Sequence, residues 1–236
     1  MGYSQVWELQ QALLQERVNG HIEDTLLIVE HPPTITLGKS GRLENILVSW
    51  EELARRGISF FFSDRGGDVT YHGPGQLVGY PIINLRDRGR DLHQYIHNLE
   101  EVVIRTLADF GIMATRDSSH RGVWVKDREI AAIGLRVRKW VTMHGFALNV
   151  NTDLAPFSLI NPCGFSDRGA TSMATVLAKE VAMADVTERT LAHFADVFEL
   201  ELELVPAGRN AELLKKTDFS ALVRNDPDAN STTTLV

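Results

Sequence analysis

The chain has 236 residues, 44% of them hydrophobic and 23% charged, which is enough apolar material to fill one continuous α/β core. A formal net charge of −7 excludes an electrostatic case for binding nucleic acid or an anionic membrane surface. One cysteine excludes an intramolecular disulfide, and the opening MGYSQVWELQQ has neither a basic leader nor a long apolar run, so a cytoplasmic protein is expected.

Residues 4–18 place Val6, Leu9 and Leu13 on one side of a helix, with Trp7, Leu14 and Val18 beside them, Ser4 as the expected cap and Gly20 as the stop. The apolar run 25–29, the break at Pro32-Pro33 and the alternating 34–37 predict two strands. A short helix is expected near 49–56, and strands over 59–62, 68–71 and 77–84, the last two separated by the turn Gly73-Pro74-Gly75. Leu92, Ile96, Leu99, Val103 and Leu107 recur at helical spacing within 91–110. Strands linked by hairpins follow over 122–125, 130–137 and 142–150, and a main helix over 184–198. Residues 225–234, rich in Asp, Asn, Ser and Thr, predict a disordered tail. Hairpins interleaved with helices, without regular βαβ alternation, argue for an α+β domain with a mixed, mostly antiparallel sheet flanked by helices. Its expected extent is 1–204, with 205–236 as a C-terminal extension.

Three segments could carry chemistry. Residues 65–76 bring one cation, four glycines and one imidazole into twelve positions. Glycines let a ligand approach the backbone closely, although a plain glycine-rich hairpin bend fits the same residues. Ala132 and Gly134 share one strand face, and Gly145 and Ala147 share one on the next strand. Small residues on paired strands leave either a groove for an unbranched chain or room for a closely packed helix. Cys163, the only thiol, stands between Pro162 and Gly164, a poor context for a core side chain and a good one for an exposed nucleophile. His93 and His97 lie one helical turn apart but lack a third ligand, so no metal is expected. The glycine segment matches neither nucleotide-binding fingerprint, and no cofactor is called for.

Together, RGGDVTYHGPGQLVGYP, the series GVWV, IAAIGLRV and HGFALNVNTDL, and INPCG resemble the lipoyl(octanoyl) transferase family. The resemblance covers about residues 1–200 and implies the catalytic-domain fold of lipoate ligases and biotin protein ligases. It implies octanoyl transfer from acyl carrier protein to a lysine of lipoyl domains, those of 2-oxoacid dehydrogenase complexes and the glycine cleavage H protein. It also implies that Arg65, Gly66, Gly67, Asp68, Val69, Thr70, Tyr71 and His72 line the substrate site. Ala132, Ile133 and Gly134, with Gly145, Phe146 and Ala147, would contact the acyl group, and Cys163 would carry it as a thioester.

The chain departs from the family at Glu129. A lysine stands there in the family, held to depress the cysteine pKa, whereas a glutamate should disfavour the thiolate unless it is itself protonated. An ATP-dependent lipoate- or biotin-type ligase, or a non-catalytic binder of acyl groups or lipoyl domains, are the alternatives. Lys126, three residues away, could replace the lysine only if the chain turns, and His72 or His144 could serve as base. Arg136 and Arg138 are the expected contacts for an acidic carrier protein.

Overall fold

A computed structural model describes residues 1–117, 120–161, 169–203 and 233–235 of the protein. In chain order the elements are α1 (Tyr3–Asn19), β1 (Thr25–Val29), β2 (Thr34–Leu37), α2 (Trp50–Arg55), β3 (Ser59–Phe62), β4 (Val69–His72) and β5 (Gln76–Ile82). They continue as α3 (Leu92–Asp109), β6 (Thr115–Arg116), β7 (Val123–Val125), β8 (Arg128–Arg138), β9 (Val141–Asn149), α4 (Met173–Leu177), α5 (Met183–Phe198) and β10 (Thr233–Leu235). This is the α+β architecture the alternating strand patterns predict.

The large sheet runs β10-β1-β5-β9-β8-β7-β6, and every one of these neighbours is antiparallel. Side chains alternate across it. Leu26, Ile28, Leu77, Phe146 and Leu148 face α3 and α5, packing with Leu99, Val103, Leu107, Val186 and Phe194. Leu27, Val29, Val78, Tyr80, Met143 and Ala147 face α1, against Val6, Leu9, Leu13 and Leu14. Both faces of β1 and β5 are therefore covered, which explains their unbroken apolar character. A second sheet, β3-β2-β4, pairs β2 parallel to β3 and antiparallel to β4, over a third cluster that includes Ile35, Leu37, Leu53 and Tyr71.

Two expectations are corrected. Helix α1 starts at Tyr3 rather than after Ser4, with Gly2 at the cap and no side chain satisfying it. Tyr3 is drawn into the helix because its ring is buried and its hydroxyl meets Ser63 Oγ at 3.0 Å. At the other end, Thr233–Leu235 do not belong to a disordered tail: they pair with Val29, Ile28 and Leu27. Without them β1 would be an open edge with unpaired backbone groups. The remainder of the expected extension, 205–232 and 236, lies outside the described residues, as does residue 204.

The two sheets meet at the segment linking β3 to β4. Gly66 donates its backbone N–H to Leu135 O of β8 at 2.7 Å, while Lys39 N donates to Arg65 O and Gly38 N to Asp68 O. Residues 65–68 thereby form a bridge between the small sheet and the middle of β8.

Candidate active site

Under that bridge lies a cleft of about 300 Å³, at the small end of the range for ligand sites. Its floor is set by the register of β8 and β9, which puts Ala132 opposite Ala147 and Gly134 opposite Gly145. These four small residues, spread over two sequence segments, become one patch lining the cleft. A side chain at Gly134 would press on Arg65 Cδ at 3.1 Å and Gly66 O at 3.3 Å, so the bridge can sit this low only over glycine.

The cleft gathers nearly all the residues singled out by sequence. Arg65, Gly66, Gly67, Asp68, Val69, Thr70 and His72 line it, as do Glu129, Ala132, Ile133, Gly134, Gly145, Phe146 and Ala147. Tyr71 does not: it belongs to the core of the small sheet, its ring 5.5 Å from that of Phe157. Cys163 lies outside the described residues, which end at Asn161 and resume at Gly169 on that side, and Gly169 and Ala170 line the cleft. His93 and His97 are exposed on α3, away from the cleft. Lys126 is exposed in the β7–β8 turn with φ 57° and does not line it.

Arg65 is 8% exposed. Its Nη2 donates to Thr36 O and Thr36 Oγ1, each at 3.0 Å, and its Nη1 donates to Gly66 O. The guanidinium thus holds the bridge in place and supplies positive charge to the cleft wall.

His72 has a fixed tautomer. Gln76 Nε2 donates to the carbonyl of Tyr71 and to Asn149 Oδ1, and Asn149 Nδ2 donates to the carbonyl of Thr171. Two carbonyls, which only accept, therefore set the polarity of the whole chain, leaving Gln76 Oε1 as acceptor of the His72 Nδ1 proton at 2.9 Å. Nε2 of His72 carries the lone pair. Burial, and then the neighbouring His31, push the imidazole well below its ordinary pKa, so it is neutral near pH 7.

His144 is also held. Its Nε2 donates to Asp64 Oδ1 at 2.7 Å, and its backbone N–H donates to Gln10 Oε1 at 2.8 Å. These bonds keep it at φ 58° inside a strand, a left-handed conformation costing on the order of 1–2 kcal/mol. Burial lowers its pKa, against the pull of Asp64. Asp64 also accepts from Trp7 Nε1 and Gln11 Nε2, both at 2.9 Å, and pairs with Arg136. Partial burial opposes its ionisation, but the bonds from His144 and Trp7 and the charge of Arg136 outweigh it and hold the carboxyl far below the usual range.

Glu129 reaches the cleft through an irregularity in the ladder. Val123 pairs with Ala131 but Trp124 with Glu129, so Ile130 is an extra residue on β8. Ile130 and Ala131 consequently both enter the core beneath α3. The alternation shifts by one, and Glu129 joins the face of Ala132 and Gly134. Burial raises its carboxyl pKa to about 7, with Arg65 pulling the other way.

Sequence reasoning missed Asp64, Gln76, Asn149 and Tyr80 as parts of this site. Asp64 directly precedes the glycine segment and could have been flagged as a polar residue next to it, and Gln76 closes that segment without having been given a part in the site. Nothing local marks Asn149 or Tyr80, whose partners are remote in sequence, Tyr80 O–H bonding His31 Nε2 at 2.8 Å.

Residues 2–195 match the lipoyl protein ligase A/B catalytic domain, the class to which this fold and cleft conform. An octanoyltransferase of Desulforamulus reducens is 46% identical over 204 residues, 86% of this chain and 90% of that protein. One of Solibacter usitatus is 51% identical over 200 residues, 85% and 90%. Among solved structures, lipoate-protein ligase A bound with ATP superposes with TM-score 0.70 at 16% identity, covering 89% of this chain and 88% of that one. A bipartite lipoate protein ligase of Thermoplasma acidophilum, described with its E2 lipoyl domain, gives 0.68 at 16% identity and covers 94% of each chain. At that identity they share the fold alone. The chain belongs to the octanoyltransferase family within the lipoyl protein ligase A/B class, and it is an acyltransferase.

Proposed function

We propose that the protein takes an octanoyl group from acyl carrier protein onto Cys163 and passes it to a lysine of a lipoyl domain, in the cytoplasm. The acceptors would be the lipoyl domains of 2-oxoacid dehydrogenase complexes and the glycine cleavage H protein. The observation that carries this reading is the patch of Ala132, Gly134, Gly145 and Ala147 along the cleft, which leaves room for an unbranched chain. Burying roughly six methylenes there would contribute about 5 kcal/mol. Exchange between thioesters is near balance and aminolysis of a thioester runs downhill, so the route needs no nucleotide. The relatives' common name, octanoyltransferase, supports the same acyl group.

The test is Cys163→Ala presented with octanoyl carrier protein and a lipoyl domain. The intact protein is expected to gain a covalent octanoyl mass and the variant none, with transfer lost. Turnover by the variant would overturn the thioester route.

A further inference from the structure

Resting on the reading that the cleft holds a medium-chain acyl group, we propose that its inner end is a hydroxyl-binding subsite built around His72 Nε2, so that the protein also transfers acyl groups whose terminal carbon bears a hydroxyl. The cleft has a direction. Gly66, Ala132, Ile133 and Gly134 are partly exposed, whereas Tyr3, His72, Val78 and Tyr80, which line it further in, are 5% exposed or less. The carbonyl of a bound chain must stay at the open side, where an acceptor amine can reach it. Its tail then ends among four buried residues, three of them polar.

The protons at this end are already placed. His31 Nδ1 lies 3.0 Å from Met1 O, a carbonyl that only accepts, so in the neutral ring Nε2 carries the lone pair and accepts from Tyr80 O–H at 2.8 Å. Burial holds His31 at a pKa of about 4, which keeps the ring neutral near pH 7. The Nδ1 proton of His72 goes to Gln76, the Nε2 proton of His144 goes to Asp64, and the Tyr3 hydroxyl is engaged with Ser63 Oγ at 3.0 Å. His72 Nε2 is left as an acceptor, and among the described residues no donor reaches it. It is not sealed in the packing as His144 Nδ1 is, so its lone pair opens into the cleft. The ring is held from two sides, stacked on Tyr3 at 5.4 Å and met edge-on by His31 at 5.6 Å.

A buried acceptor is unfavourable until a donor meets it, and a leucine would close the cleft at lower cost for a guest that ends in a methyl group. The matching guest is a hydroxyl: small, uncharged, and able to donate to nitrogen while its carbon continues the chain. An ammonium fits less well, because Arg65 lines the same cleft and its charge reaches His72. Behind a plain octanoyl group a water would supply the same O–H. A ninth carbon would displace that water and leave the lone pair bare, so the subsite also limits chain length. The hydroxyl takes no part in the transfer, whose broken and formed bonds are those of the octanoyl reaction.

The experiment is a competition on the intact protein between two carrier thioesters of nearly equal length and shape, 8-hydroxyoctanoyl and nonanoyl, for transfer to a lipoyl domain. The masses of the two products give the ratio. The hydroxyl-bearing chain is expected to be preferred by at least about tenfold, whereas an apolar end would prefer nonanoyl. His72→Leu removes the lone pair and should reverse the preference. Both substrates meet the same enzyme, so partial unfolding of the variant lowers both rates and leaves the ratio intact. If His72→Leu does not fold, the preference of the unaltered protein decides alone. A protein that transfers octanoyl but favours nonanoyl or shows no preference, or a ratio unmoved by His72→Leu, overturns the subsite and leaves the proposed function standing. Failure of the unaltered protein to transfer any acyl group from carrier thioester to a lipoyl domain overturns the proposed function, and the subsite with it.

Discussion

His144 gives its Nε2 proton to Asp64 across 2.7 Å, tying the strand under the cleft to the bridge above it. Asp64 also gathers Trp7, Gln11 and Arg136, so one carboxylate joins α1, β8, β9 and the bridge. Asp64→Ala would leave a half-buried guanidinium and three other donors unpaired. The expected cost is about 3 kcal/mol, or a melting temperature lower by roughly 10 °C for a domain of this size. Calorimetry checks it, and a change below about 2 °C would show that water replaces these bonds without loss.

The facing pair Ala132 and Ala147 lies on the floor of the cleft. Ala132→Val adds two methyl groups to the floor and should shorten the chain the cleft accepts. Transfer of octanoyl is expected to fall by roughly ten- to a hundredfold relative to butanoyl, the range that one or two carbons command in an apolar pocket. Competition between the two carrier thioesters measures it. Equal losses for both chains would place the acyl group elsewhere.

How far the sequence revealed this site depended on whether the information was local. Strand alternation alone assigned Ala132 and Gly134 to one face and Gly145 and Ala147 to another. That the two pairs stand opposite one another required the register, which the intervening turn sets. Glu129 shows the limit most sharply. Its departure from the family was legible, but simple alternation puts it on the face opposite Ala132, and only the extra residue Ile130 reverses that. The tautomer of His72 was beyond reach, because it is dictated by the Tyr71 and Thr171 carbonyls through Gln76 and Asn149. At the C-terminus, composition suggested disorder where Thr233–Leu235 find the open edge of β1, a tertiary effect that local composition does not encode.

Arg136 and Arg138, two residues apart on β8, have different surroundings. Arg136 is bound to Asp64, whereas Arg138 is exposed at the end of the strand. An acidic carrier protein would therefore be met by Arg138, with Lys139 exposed beside it. Arg138→Glu is expected to slow association with octanoyl carrier protein several-fold at low salt and to flatten its salt dependence, leaving stability unchanged. Arg136→Glu should lower the melting temperature instead. Stopped-flow association at two ionic strengths separates them, and an unaltered on-rate in Arg138→Glu would remove this end of β8 from the docking surface.

Glu129 also couples stability to pH. Its carboxyl titrates near 7 in the folded protein, because burial disfavours the charge, and near 4.5 when unfolded. A raised carboxyl pKa means that the folded state keeps its proton to higher pH. The stabilisation is thus present below about pH 4.5 and is lost as pH rises through 7. The full shift would amount to roughly 3 kcal/mol at pH 8, and about 2 kcal/mol once the side chain's partial exposure to the cleft is allowed for. Glu129→Gln keeps the shape and cannot ionise, so its stability should not decline across this range. The variant is expected to match the unaltered protein near pH 4.5 and to melt roughly 4–8 °C higher at pH 8. Thermal unfolding measured from pH 4.5 to 8 reads the gap directly. A gap that does not widen with pH would mean that the carboxyl ionises at its ordinary value and lies in water.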